Sequence, residues 1–146
     1  MTSASSGDFH GNKFWLQTVA EGRDWVLCHT SALEFLELFI GYLNERQIDV
    51  YARMPGEYEN INYRIVDSFD GLEIVNYSDV KCTSVNQTIN DMLNDFDNID
   101  EQSLIEGLAT YYYTHNNSFD GLMIEAKNQA VFESIKDWAI DYYNED

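Results

Sequence analysis

Basic residues are the scarcest class in this chain: eight lysines and arginines stand against 26 aspartates and glutamates, for a formal net charge of −18. Binding nucleic acid through its phosphates requires clustered Lys and Arg that displace counterions, so the shortage argues against direct nucleic-acid binding. It is also uneven. Residues 1–83 carry 13 acids and six bases, whereas residues 84–146 carry 13 acids against Lys127 and Lys136 alone. Cysteine is nearly absent, and Cys28 and Cys82 are expected as two reduced, buried thiols. No apolar run approaches the roughly 18 residues of a membrane span, and no basic amphipathic stretch suits an anionic lipid surface. The three histidines are far apart and no cysteines are closely spaced, so no zinc pattern exists. No glycine-rich loop joins a strand to a helix to cradle a phosphate. The expectation is no metal, no cofactor and no membrane contact, with a protein as the partner class.

What is present argues for a folded domain. At 45% hydrophobic and 14% aromatic the sequence is far too apolar for a disordered acidic tail. Its 146 residues fit one domain, able to bury roughly 70% of the surface its unfolded chain exposes. Residues 1–13, small and polar, read as a flexible leader without a signal peptide, leaving 14–146 as the domain and the cytoplasm as the expected compartment.

The elements follow an α+β order. A short apolar-rich element at 14–20 precedes the turn-like "EGRD" and a strand-like run at 25–28. Ser31 with Glu34 forms a capping box that predicts a helix start, and Leu33, Leu36, Phe39, Ile40 and Leu43 supply its apolar stripe. "IDVYARM" (48–54), "INYRIVD" (61–67), "LEIVNY" (72–77) and "VKC" (80–82) have period two, with Asp70-Gly71 as a hairpin turn. They predict a small, mainly antiparallel sheet packed against helices. Ser84 and Gln87 form a second capping box ahead of Val85, Ile89, Met92, Leu93 and Phe96. A helical C-terminal half follows, with Asp100 and Ser118 as caps and with Val131, Ile135, Trp138 and Tyr142 on one side of a last helix over 128–143.

Candidate chemistry is sparse. Cys28, His29 and Ser31 include nucleophile and base types, but adjacent residues on an extended strand point to opposite faces, and catalysis needs them within hydrogen-bond reach. A core thiol, a satisfied histidine and a capping serine account for the same residues, and no catalytic residue is assigned. Asp95, Asp97, Ser103 and Glu106 fall at calcium-loop spacing, yet Ile99 occupies a ligand position and Asp100 replaces the required glycine. The residues nominated for partner binding are Asp97, Asp100, Glu101, Glu106, Glu133, Asp137 and Asp141, acids on the linker and the polar faces of the last helices. The alternative is a solvated face that only keeps the protein dispersed.

"LCHTSALEFLEL" (27–38) resembles the "SHxSALexxGL" segment of the AbiE-type antitoxins of type IV toxin–antitoxin systems. In order along the chain, "IDVYARMPG" is similar to the family's "vyvatP" strand and turn, and "VKCTSVNQTINDML" (80–93) to its "v.vTs.eRTlvDll" junction. The resemblance spans roughly residues 14–143 by motif pattern. It implies the antitoxin-type C-terminal domain without the winged-helix DNA-binding domain, countering a nucleotidyltransferase-like toxin with or without stable contact. Gln87 stands where the family has arginine, and Glu37 where it has glycine. Two other classes remain open: an acidic inhibitor from a phage or mobile element that imitates nucleic acid to block a basic defence protein, and, least supported, an enzyme.

Overall fold

A computed structural model describes residues 11–39 and 47–144. Helix α1, Gly11–Ala20, opens the described chain and takes in residues 11–13 of the expected leader, the rest of which lies outside the described residues. Strand β1 (Trp25–Leu27) leads into α2 (His29–Phe35), and β2 (Ile48–Ala52), β3 (Ile61–Ile65), β4 (Ile74–Tyr77) and β5 (Val80–Thr83) complete a five-stranded sheet. Three longer helices follow: α3 (Val85–Asn94), α4 (Glu101–Thr114) and α5 (Gln129–Asp141). The α+β class and the helical C-terminal half are therefore as the sequence predicts. No helix among the described residues is long and apolar enough to cross a membrane.

The sheet departs from expectation in its pairing. Its order is β3-β2-β1-β5-β4, with β1–β2 and β4–β5 antiparallel but β2–β3 and β1–β5 parallel, so it is mixed rather than mainly antiparallel. The Asp70-Gly71 turn exists, with Gly71 at φ +89 and Leu72 N–H donating to Phe69 O, but it is not a hairpin. The strands on either side of it lie at opposite edges of the sheet. The tight hairpin is instead at Ser78 and Asp79, with Ser78 at φ +58. Strands β2 and β3 run parallel although only residues 53–60 separate them. Eight extended residues span at most about 27 Å, enough to retrace a five-residue strand of roughly 17 Å without a helical crossover.

Alternation along β2 divides the sheet's faces. Ile48, Val50 and Ala52 point into one core with Leu16, Ala20, Leu27, Ala32, Phe35, Val80 and Cys82, while Asp49 and Tyr51 point to the other face. A second core joins Leu33 of α2 to Ile89, Met92 and Leu93 of α3, Leu104 and Leu108 of α4, and Phe132 and Ile135 of α5. The short helix α2 serves both.

Several helix predictions need correction. Helix α2 starts at His29, two residues before the serine expected to cap it, and stops at Phe35, because Glu37 turns into the left-handed region at φ +65. Leu38 and Phe39 are buried beyond the helix; Ile40 and Leu43 lie outside the described residues. Ser118 caps no helix: its hydroxyl accepts from Asp120 N–H at 2.9 Å in a local turn, and the chain stays irregular through 125. On α5 the core-facing residues are Phe132, Ile135 and Ala139, while Trp138 is 53% exposed. Two caps hold as predicted: Ser84 Oγ accepts from Gln87 N–H at 3.1 Å, and Asp100 Oδ1 from Gln102 N–H at 3.1 Å.

Candidate functional site

The corner at 28–31 is built as a junction. Cys28 is fully buried, its N–H donates to Asp49 O at 3.0 Å, and burial reinforced by the Asp49 charge holds its thiol well above the usual range. Cys82 is likewise free and buried, its thiol pushed up to about 12 by desolvation. A nucleophilic cysteine needs thiolate character and access, and neither thiol has them. His29 sits at φ +50, 3% exposed and edge-on to Tyr51. Burial and the Arg64 charge lower its pKa to about 4, against the pull of Asp95, whose Oδ2 is 3.8 Å from Nε2. The Nδ1 atom has no hydrogen-bond partner among the described residues, so it orients no third group. Ser31, predicted as a cap, has a different job: its hydroxyl accepts from Asp49 N–H at 2.8 Å and ties α2 to β2. Glu34 is buried on the same helix.

Around this corner runs a polar network that sequence reasoning missed. Arg64 Nη1 reaches Asp95 Oδ2 at 3.1 Å and Nη2 lies 3.7 Å from Asp49 Oδ1, which also accepts from Asn62 Nδ2 at 3.1 Å. Tyr51 Oη donates to Asp91 Oδ2 at 2.8 Å, and Gln87 Nε2 to Asp91 Oδ1 at 2.8 Å. Gln87 thus uses its side chain along α3 and, through Oε1, on Glu73 N–H rather than reaching back to Ser84 as a capping box would. The Ser84 hydroxyl itself donates to the Glu73 carboxylate. Burial raises the pKa of both Asp49 and Asp91, partly offset by these donors. The available signal was the placement of Asp49, Tyr51 and Arg64 at alternating positions inside strands, where a two-sided sheet puts its polar face. This network fastens the second sheet face to α3.

The nominated acids divide into three groups. Asp97, Asp100 and Glu101 rim a cleft of about 680 Å³ between the start of α4 and the end of α5, walled by Phe96, Ile99, Ile105, Trp138 and Tyr142. Glu106 is enclosed rather than on a polar face: it is 4% exposed and accepts from Tyr142 Oη at 3.0 Å. Helix α4 is buried on several sides, so polar spacing along it does not ensure exposure. Glu133, Asp137 and Asp141 lie on the exposed face of α5, where Glu133 pairs with Lys136 at 2.9 Å. The calcium-spaced residues are also dispersed, with Asp95 on Arg64 and Ser103 on Thr30 at 2.9 Å. Among the described residues no group of three or more His, Cys, Asp or Glu is placed to hold a metal ion.

The cleft is thus the place where nominated charges meet exposed apolar surface. A scan against protein-family models gives no match to this chain, and a search of curated proteins gives none either.

Proposed function

We propose that this chain is an AbiE-type antitoxin-like domain that counteracts a nucleotidyltransferase-like toxin through protein contact, with neither an enzymatic step nor direct DNA binding. The observation carrying the proposal is the cleft: three of the seven nominated acids converge on one aromatic-walled concavity. The motif residues support it in a second way. Ser31 and His29 build the α2 junction, the Thr83 and Thr88 hydroxyls lie 2.6 Å apart at the β5–α3 junction, and Glu37 holds a left-handed backbone where the family places glycine. The buried thiol of Cys28 and the neutral, enclosed His29 speak for a structural corner.

The test is growth. Expression of a nucleotidyltransferase-like toxin encoded beside this gene should arrest cells, and co-expression of the wild-type chain should restore growth. Arrest that persists with the folded chain present at equal level would overturn the proposal. A second reading, an acidic phage or mobile-element inhibitor imitating nucleic acid, draws on Glu133, Asp137 and Asp141. Their four-residue spacing along α5 sets a carboxylate about every 6 Å. Lys136 on Glu133 interrupts that row, which is why the cleft takes precedence.

A further inference from the structure

We infer that the cleft between α4 and α5 receives an arginine-bearing segment of a partner protein, its guanidinium stacking on Trp138 and pairing with Asp97 and Glu101. The inference rests on the antitoxin-like reading for the partner's identity, but its chemistry comes from the cleft alone. Asp97 and Glu101 have no hydrogen-bond or ion-pair partner among the described residues, and Asp100 spends Oδ1 on its helix cap. Five of the described cations are engaged elsewhere. Lys127 is 3.7 Å from Glu125, Lys136 is on Glu133, Arg64 is on Asp49 and Asp95, and Arg53 donates from Nη2 and Nε to the single Asp24 Oδ2 at 2.6 and 3.1 Å. Arg23 lies over the Trp25 and Tyr58 rings at 5.2 and 5.7 Å.

Apolar surface fixes which cation fits. Phe96, Ile99 and Ile105 give a wall on which an aliphatic stem can lie, and Trp138 presents half of its surface to solvent without a partner among the described residues. A planar guanidinium stacks on an indole face and forks onto carboxylates, whereas an ammonium is a compact, strongly hydrated point charge. Arg23 over Trp25 shows this fold already pairing the two groups. The cleft therefore favours arginine over lysine, and an extended or helical protein segment over a free small cation, because the apolar wall needs covering as well.

The experiment is a titration of the full chain with a short amidated peptide alternating arginine and leucine, followed by amide chemical shifts. Matched peptides carry lysine or neutral citrulline in place of arginine. Saturable shifts centred on residues 96–105 and on Trp138, at least tenfold weaker binding of the citrulline peptide, and weaker binding of the lysine peptide are expected. Asp97→Asn with Glu101→Gln, and separately Trp138→Ala, should each weaken the arginine peptide about tenfold while leaving the thermal midpoint in place. Equal binding of the arginine and citrulline peptides overturns the inference, as do shifts centred on the Glu133–Asp141 face or around Trp25. Failure of the two readings is distinguishable. Toxin neutralisation that survives these substitutions retains the antitoxin reading and removes the cleft; arginine binding by a chain that neutralises no toxin does the reverse.

Discussion

His29 is the residue at which burial acts most directly on stability. Its folded pKa of about 4 lies below the ordinary 6.5, so the folded protein resists a proton that the unfolded chain accepts. The stability this represents is intact above pH 6.5 and is lost as pH falls from 6.5 toward 4, on the order of 3 kcal/mol across that range. Asp49 and Asp91 act in the opposite sense, because their raised values mean that protonation relieves the cost of burying charge. His29→Asn should flatten the acid side of the profile while keeping the positive φ, which Asn tolerates; urea midpoints at several pH values measure it. An unchanged slope would mean that another group governs the acid limb. The two serines separate by magnitude. Ser84→Ala removes a helix cap and should cost about 1 kcal/mol, whereas Ser31→Ala strands the Asp49 N–H and should cost about 1–3 kcal/mol. Denaturant midpoints that rank them the other way would contradict the assigned roles.

Among the elements, α4 is held against α2 by a close approach at Gly107. Alanine at an interior helix position is favoured over glycine by about 1 kcal/mol, but here a Cβ would stand 3.1 Å from Leu33 Cδ1 and 3.3 Å from Cδ2. Leu33 is fully buried in the helical core, and close-packed interiors leave few voids for such a side chain to shift into, so overpacking of about 1–3 kcal/mol is expected to outweigh the propensity gain. Gly107→Ala should therefore lower the thermal midpoint; a rise would show that Leu33 has room to shift. Elements with strong local signals were legible in the sequence. Period two marks β2 and β3, and a capping serine with an apolar face marks α3. What local signals cannot carry is which strands are neighbours. Asp70-Gly71 is a good turn, yet β3 and β4 do not pair, because β2, β1 and β5 stand between them in the sheet. Helix α2 was misplaced for a related reason. Glu34 and Ser31 fit a capping box, but the sheet claims the Ser31 hydroxyl, and the left-handed Glu37 ends a helix that apolar spacing alone would extend.

Across the whole molecule, the acid excess is distributed between structure and surface. Asp49, Asp91, Asp95 and Glu106 are committed inside the fold to Arg64, Tyr51, Gln87 and Tyr142, whereas Asp97 and Glu101 face an open cleft. The cleft lies in the half of the chain where the sequence concentrates its acid excess. The exposure of Trp138 in the cleft wall was not legible, because helical spacing assigns it to the core alongside Ile135 and Tyr142. The most direct measurement is toxin neutralisation by a chain carrying Asp97→Lys with Glu101→Lys, which leaves the Asp100 cap and buried Glu106 untouched. The account predicts a protein that keeps its cooperative melt but no longer restores growth to toxin-expressing cells. Full rescue by the folded, charge-reversed chain would contradict it.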